Sequence, residues 1–341
     1  MTTPLVSILI PAYNAEQWIA ETLESAVRQN WANKEIVVVD DGSTDGTLRI
    51  ARQFVSRGVK IVTQPNSGAA AARNKAFEHS KGEFIQWLDA DDLLSSQKIS
   101  EQMTVAQNCQ DTRTLLSSGW GEFMYRPAKA EFRPSPLWHN LSPVEWLLRK
   151  WENNAHMQTA TWLVSRELSD AAGPWDTRLF GDDDGEYFSR VIKQCGGIRF
   201  VPQAKVFYRA AGSDRLSYIP RSDKKIRAQF LGMKLQIGYL RSLTDDKRAR
   251  AACVHYLQTW LHNFYPDRHE ILNEAHQLAR ELGGELHVPR FSWKYAWIEK
   301  TFGWAAAERA QIQYNQWKTC AIRYWDKVVA TCTRANSAPS L

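Results

Sequence analysis

The sequence predicts an α/β fold, a Rossmann-like and mostly parallel sheet flanked by helices, continued by a helical C-terminal region. Two observations carry this. Up to about Asp92, short β-branched runs alternate with helix-length amphipathic segments, which is the signature of βαβ units feeding a parallel sheet. Beyond Pro220 the strand signals stop and only helical periodicity continues.

Taken in order, the predicted strands are Val6–Ile10, Glu35–Asp40, Val59–Gln64 and Phe84–Asp89, separated by predicted helices Ala15–Gln29, Asp45–Arg57 and Ser67–Ser80. Turn and cap residues introduce the helices: Ser43-Thr44-Asp45 precedes the second and Asn66-Ser67-Gly68 the third. From about Leu93 to Arg215 the pattern is less regular, with a helix at Ser95–Asn108, a Pro-rich loop around Arg126–Trp138, a strand at Thr161–Ser165 and a helix from Gly185 to Cys195. Four helices follow, Lys224–Leu243, Arg248–Phe264, Arg268–Leu282 and Ala305–Val329.

Composition bounds the class. With 341 residues, 44% hydrophobic and 23% charged, the chain is long enough for one large core and a smaller appended unit. Its net charge of +6 favours anionic partners without choosing among nucleotides, acidic lipid and nucleic acid. Nucleic acid is disfavoured because no interleaved basic and aromatic motif appears. Five scattered cysteines without Cys-x-x-Cys spacing read as reduced thiols of a cytoplasmic protein. The apolar run Val6–Ile10 stops at Pro11, too short for a secretory leader, and no apolar stretch is long enough to span a bilayer.

Polar residues gather where the strands end. In open α/β sheets ligands bind beyond the carboxyl ends of the strands, so Asn14, Asp40, Asp41, Asp89 and Asp91 are expected to share one cleft. Asp40-Asp41-Gly42-Ser43-Thr44-Asp45 ends an apolar strand in two carboxylates; they could accept hydrogen bonds from a ribose or a base N–H, or the segment could be a capped strand-to-helix turn. Leu88-Asp89-Ala90-Asp91-Asp92 repeats the arrangement. Residues two apart on an extended chain point the same way, and two converging carboxylates make sense around a hard cation, Mg²⁺ or Mn²⁺, whose shell phosphate oxygens complete. The alternative is an acidic helix cap. Asn66 through Asn74 opens a helix with small residues, and its Arg73 either reaches an anionic ligand or faces solvent.

In this order Pro11-Ala12-Tyr13-Asn14, Val37 through Asp45, Gly68 through Arg73-Asn74, and Leu88-Asp89-Ala90-Asp91-Asp92 resemble the successive signatures of the family 2 glycosyltransferases of GT-A fold. Weaker similarity continues through Gly173-Pro174-Trp175-Asp176 and Tyr208-Arg209 and stops near Ser217. The resemblance implies an inverting enzyme that moves a sugar from a nucleoside diphosphate sugar, UDP-linked in preference, to a glycan or lipid-linked saccharide. It implies a transferase domain over residues 1–217, with a nucleotide-binding half at 1–92 and an acceptor and base half at 93–217, and a helical region at 218–341. It places Pro11, Ala12, Tyr13, Asn14, Asp40, Asp41 and Gly68 around the nucleoside, Arg73 against the base or diphosphate, and Asp89 and Ala90 at the ribose. Asp91, helped by Asp89, would hold the divalent metal, with Asp92 behind it.

The family's base sits in an acidic pair ahead of a helix ending in an apolar-Arg-apolar stretch. Counting back from Arg190 through Gly181-Asp182-Asp183-Asp184-Gly185-Glu186 makes Asp184 the base and Asp183 the second choice. An acidic first helical turn is the plainer alternative. His156 and Gln158 either face the acceptor or serve structure. A catalytically silent nucleotide-sugar sensor remains the alternative function, kept open by the run Asp182-Asp183-Asp184. A dehydrogenase lacks its Gly-x-Gly-x-x-Gly after the first strand, and a pyrophosphorylase its glycine-rich basic loop.

In the last helix Tyr314, Trp317, Ala321, Tyr324, Trp325 and Val328 repeat at helical spacing, with Arg323, Lys327 and Arg334 elsewhere on the circumference. A cap packed on the catalytic domain accounts for this pattern most simply. Peripheral contact with the inner face of a membrane, helped by Trp293, Trp297 and Trp304, is the other reading.

Overall fold

The computed structural model describes residues 3–109, 111–210 and 222–336, with side chains as far as Cys332. Strands β1 (Val6–Ala12), β2 (Lys34–Asp40), β3 (Val59–Thr63) and β4 (Phe84–Trp87) alternate with helices α1 (Ile19–Val27), α2 (Thr47–Arg52) and α3 (Ala69–Glu78). The short β5 (Leu93–Leu94) leads to α4 (Lys98–Asn108), β6 (Thr114–Phe123), α5 (Pro143–Glu152) and β7 (Val164–Ser165). Then come α6 (Arg166–Ala172), α7 (Asp183–Gln194) and β8 (Gly197–Arg209). The helical region comprises α8 (Asp223–Leu243), α9 (Lys247–Trp260), α10 (His269–Glu281), α11 (Trp293–Phe302) and α12 (Trp304–Asn336).

The main sheet runs β3-β2-β1-β4-β7, parallel except for β7, and a smaller sheet runs β5-β8-β6. Both faces of the main sheet are covered. Leu9, Val37 and Val39 point into one core and Ile8, Ile10 and Val38 into the other, the two-residue alternation of a strand buried on both sides. The order reverses at β1, with β2 on one side and β4 on the other, so the ends of β1, β2 and β4 flank a topological switch point.

Several expected boundaries shift for visible reasons. The first helix starts at Ile19 rather than Ala15, because the preceding residues are tied to the turn before α2: Ala15 N donates to Thr47 Oγ1 (2.7 Å) and Glu16 N to Asp45 Oδ2 (3.1 Å). The strand expected at Thr161–Ser165 keeps only Val164–Ser165, since Thr159–Thr161 forms a 3-10 turn in which the Gln158 side chain accepts from Ala160 N. Strands β6 and β8 were hidden by Gly119, Gly121 and Pro202. Pro202 sits at a register shift, where a missing N–H costs no ladder bond.

Helices α8 to α10 join the hydrophobic cluster that also holds Trp146, Trp162 and Tyr187. The junction at 217/218 lies outside the described residues. Helix α12 departs from a packed cap. Stepping about 100° per residue, Asp326 and Ala330 fall on the side facing the rest of the chain, where Asp326 accepts from Tyr125 N (2.9 Å) and pairs with Arg126 (2.6 Å). The stripe holding Tyr314, Trp317, Tyr324 and Trp325 lies on the opposite side, and Trp317 is 69% and Tyr324 72% exposed. The Arg334 side chain lies outside the described residues.

Candidate active site

The β1 and β2 ends are laced together by their own polar residues. Asp41 N donates to Ala12 O (2.8 Å), while Asn14, at φ +48°, donates its N–H to Ser43 Oγ (3.0 Å) and accepts from Thr44 N (2.8 Å). Asp41 spends its carboxylate on the next loop: one oxygen accepts from Gln64 Nε2 (2.7 Å) and Ser67 N (2.8 Å), the other from Gly68 N (2.9 Å) at the start of α3. Gly42 makes this possible. It sits at φ +74°, and a Cβ there would lie 2.8 Å from the Asn66 backbone nitrogen. Asp40 is different. It is 3% exposed, one oxygen accepts from Ser43 N (3.3 Å), and the other is buried with no partner among the described residues. Pro11 and Ala12 form the strand end, and Tyr13 stands 51% exposed beside them.

Arg73 joins the two halves of the site. Its guanidinium is 6% exposed, donates to Asp89 Oδ1 (2.9 Å) and Asp183 Oδ2 (2.6 Å), and lies 4.4 Å over the Trp175 ring. Burial works against the charged guanidinium, but Asp183 and Asp89 overcome it and raise its pKa. The neighbouring Asn74 holds Trp175 by both backbone groups, at 2.9 and 2.8 Å. Tyr187 stacks on Trp175 with ring centroids 4.0 Å apart, closing the far side. Each terminal nitrogen of Arg73 is thus engaged with one carboxylate. Burial pushes the Asp183 carboxyl above its ordinary range; Arg73 opposes the rise, and Asp184 and Asp89 add to it.

A second arginine secures the metal-motif turn. Arg209, 1% exposed, is sandwiched between Trp18 (4.3 Å) and Phe123 (4.6 Å). Its Nε donates to the Asp91 carbonyl (2.7 Å), its backbone N–H to Asp92 Oδ1 (2.8 Å), and its Nη2 to Glu21 Oε2 (2.7 Å). Asp92 also accepts from Gln158 Nε2, and Gln158 is 2% exposed. Gln158 therefore braces this turn from behind and does not face an acceptor. Ala90 takes part through its carbonyl, which accepts from Thr22 Oγ1 (2.9 Å).

The three consecutive aspartates separate into distinct environments. Asp182 precedes α7 at φ +57°, its carboxylate exposed to a cavity and accepting from Gln236 Nε2 (3.1 Å). Asp183 turns inward to Arg73. Asp184 is half-buried, near Thr159 Oγ1 (3.4 Å), and opens into the same cavity as Asp182. Of the two candidate bases, Asp184 is thus the one a substrate can reach. His156 lies in the cavity wall, its ring edge-on to Trp120.

Among the described residues no three His, Cys, Asp or Glu side chains stand close enough to hold a metal on protein ligands alone. A cation that takes one or two carboxylates and completes its shell with diphosphate oxygens and water, the habit of Mg²⁺ and its neighbours, needs no such cluster. Sequence reasoning missed the service residues: Trp18, Glu21 and Arg209 around the turn, and Gln236 from α8. Only Arg209 carried a signal, as part of Tyr208-Arg209.

Residues 7–169 match the family model described as glycosyl transferase family 2. Among curated relatives, UDP-Glc:alpha-D-GlcNAc-diphosphoundecaprenol beta-1,3-glucosyltransferase WfgD of Escherichia coli is 39% identical over 102 residues, 30% of this chain and 40% of that protein. The chain spans about two-fifths of the length of such relatives. Among solved structures, TarS 1-349 of S. aureus in complex with UDP-GlcNAc matches with TM-score 0.64 and 17% identity, covering 80% of this chain and 81% of that one. The mannosyltransferase PcManGT of Pyrobaculum calidifontis, in complex with GDP-Man and Mn2+, matches with TM-score 0.52 and 18% identity, covering 96% of this chain and 87% of that one. At these identities the two structures establish the shared fold.

The Arg73 bridge yields a stability prediction. Arg73→Met leaves Asp183 buried without its cation and is expected to cost about 3–5 kcal/mol. Asp183 then keeps its proton more tightly in the folded than in the unfolded chain, so stability falls as pH rises from the unfolded carboxylate range toward the raised folded value. Urea denaturation at pH 5 and pH 8 is expected to show the larger loss at pH 8.

Proposed function

We propose that this chain, which belongs to glycosyl transferase family 2 through its residues 7–169, moves a sugar from a nucleoside diphosphate sugar to a saccharide hydroxyl. UDP is favoured as the nucleotide, and the acceptor is a glycan or lipid-linked saccharide. The donor preference and a lipid-linked acceptor draw on the activity printed for WfgD, and TarS and PcManGT carry bound nucleotide sugars. The observation that carries the proposal is the division of labour among the carboxylates: Asp40 keeps a buried oxygen without a partner, Asp41 and Asp183 are consumed by structure, and Asp184 opens to a cavity.

Residues 1–217 act as the transferase unit in this proposal, with residues 1–92 holding the nucleotide. Ala12, Tyr13 and Asn14 line the nucleoside, and the free Asp40 oxygen accepts from a base N–H or ribose hydroxyl. Its burial makes an unmet hydrogen bond costly, which is a reason to expect a ligand there. Asp41 and Gly68 hold the loop that shapes this end. Asp89, oriented by Arg73, serves the ribose, and Asp91 offers a carboxylate to a divalent metal, Mn²⁺ or Mg²⁺. Such a cation, when bound, neutralises charge growing on the leaving diphosphate. Arg73 contributes at one remove, by fixing Asp89 and Asp183.

Asp184 is the general base. A sugar hydroxyl has a pKa near that of water, roughly 16, and an aspartate about 4; full deprotonation before attack would cost about 16 kcal/mol. Proton transfer therefore accompanies bond formation. As the acceptor oxygen closes on the anomeric carbon, the bond from that carbon to the phosphate oxygen breaks, its electron pair leaves on the diphosphate, and the hydroxyl proton passes to Asp184. One displacement inverts the anomeric centre, with no covalent intermediate.

The helical region supports attachment at the cytoplasmic face of a membrane. The aromatic stripe of α12 faces away from the catalytic unit, Trp293 and Trp297 of α11 are 82% and 61% exposed, and basic Lys318 and Lys327 flank the stripe. Aromatic rings settle at the lipid interface and basic residues are drawn to acidic headgroups. No helix among the described residues is long and apolar enough to cross a membrane.

Two measurements test these points. Asp184→Asn is expected to lower transfer by about 10²- to 10⁴-fold with nucleotide affinity retained; wild-type turnover in that variant would overturn the assignment of the base. The full chain is expected to co-sediment with vesicles containing phosphatidylglycerol at low salt and to lose this in a Trp317→Ser, Trp325→Ser double variant. Failure of the wild type to sediment would remove the membrane proposal.

A further inference from the structure

The cavity beyond Asp184 belongs to none of the strand-end motifs. Its volume is about 260 Å³, and its lining includes the α5 face carrying Trp146, Lys150 and Trp151, the segment after it with Asn154 and His156, the start of α7 with Asp182 and Asp184, and the α9 face carrying Tyr256, Thr259 and Trp260. Trp151 and Tyr256 stack at 4.9 Å and 2°, forming a rigid wall that joins α5 to α9. Trp260 is half-buried beside it.

This lining has the mixed character of a carbohydrate subsite. Aromatic surfaces suit the C–H faces of a sugar ring, while carboxylates, an ammonium and Asn154 at the rim suit its hydroxyls. The volume lies below the roughly 300–1,000 Å³ of pockets that enclose a whole drug-sized ligand, so one ring fits and a longer glycan would extend outward. Two carboxylates facing the space disfavour an anionic sugar.

Asp182 is held for a purpose that α7 does not explain. It stands in the left-handed region, and its side chain makes no capping bond to the helix that it precedes. Gln236 of α8 orients it, donating from Nε2 to Asp182 Oδ2 (3.1 Å) while Tyr256 Oη lies 3.2 Å from the same nitrogen and Lys150 Nζ donates to Gln236 Oε1 (3.3 Å). Gly185 leaves room for it, since a Cβ there would run into the Asp182 carboxylate. Desolvation raises the Asp182 carboxyl above its ordinary range, with Lys150 opposing and Asp184 and Asp183 adding to the rise. Its exposure to the cavity lets water temper that rise.

We propose that this cavity binds one neutral pyranose ring of the acceptor, with Asp182 accepting a hydrogen bond from a hydroxyl next to the one that Asp184 deprotonates, and Trp260 covering the ring's apolar face. Asp182 and Trp260 thus determine acceptor specificity, and the helical region supplies one wall of the subsite. The inference rests on the glycosyl-transfer proposal above.

Saturation-transfer NMR tests it on the full chain with diamagnetic Mg²⁺ and UDP or GDP, using the methyl α- and β-glycosides of glucose, galactose and N-acetylglucosamine as probes. At least one glycoside is expected to show ring-proton saturation with the wild type. Asp182→Asn and Trp260→Ala are expected to weaken its binding at least ten-fold while nucleotide signals persist. Gly185→Ala, which favours the helix and displaces only the Asp182 carboxylate, is expected to do the same in a well-folded protein. Unchanged glycoside affinity in Asp182→Asn and Gly185→Ala, or no glycoside signal where nucleotide binds, overturns the subsite alone. No nucleotide signal in the wild type overturns the donor proposal and the subsite with it.

Discussion

A single buried guanidinium ties the parts of this site together. Arg73 comes from the helix after β3, Asp89 from the turn after β4, and Asp183 from the start of α7, 110 residues further along the chain than Arg73. A buried ion pair is a weak source of net stability, because desolvation offsets most of the attraction, yet removing one partner leaves a charge stranded. The bridge therefore acts mainly as a constraint on geometry. It holds Asp183 inward, and with Asp183 fixed at the first turn of α7, the helix presents Asp184 toward the cavity. The same bridge orients Asp89 in the turn after β4, so the proposed donor and acceptor ends are set by one group.

Arg209 performs the matching service on the other flank. Sandwiched between two aromatic rings, it pins the Asp91 carbonyl, while its own backbone N–H bonds Asp92. In both cases a long cationic side chain is buried against an aromatic surface and spends its donors on the backbone or carboxylates of a catalytic turn. The residues proposed to meet substrate are Asp40, one of whose oxygens is buried without a partner among the described residues, and Asp91, Asp184 and Asp182.

The fold was largely legible because its signals are local. Runs such as Ile36-Val37-Val38-Val39 and the polar residues that end them announce both strand and site from neighbouring positions. What stayed hidden depends on distant partners. Nothing near Arg73 reveals that Asp183 will claim it, and nothing near Gln158 announces Asp92, so for both side chains a ligand-facing reading stood open beside a plainer one. Strands β6 and β8 were obscured by Gly119, Gly121 and Pro202, which break the pattern and which tertiary pairing accommodates at a register shift. The α12 aromatics gave the right periodicity for a helix, but periodicity cannot say whether an apolar stripe meets protein or another surface.

The central claim is that these strand-end carboxylates form a metal-dependent nucleoside diphosphate site. Thermal melting with UDP, GDP and their sugars, in Mn²⁺ and then in excess chelator, tests it most directly. Ligand at about 100 times its dissociation constant stabilises a protein by roughly 2.7 kcal/mol, a shift of several degrees for a chain of this size. One nucleotide is expected to raise the midpoint by that amount in Mn²⁺, with the rise lost on chelation and in Asp91→Ala. No shift with any nucleotide, or a shift indifferent to both chelator and Asp91→Ala, would contradict the account.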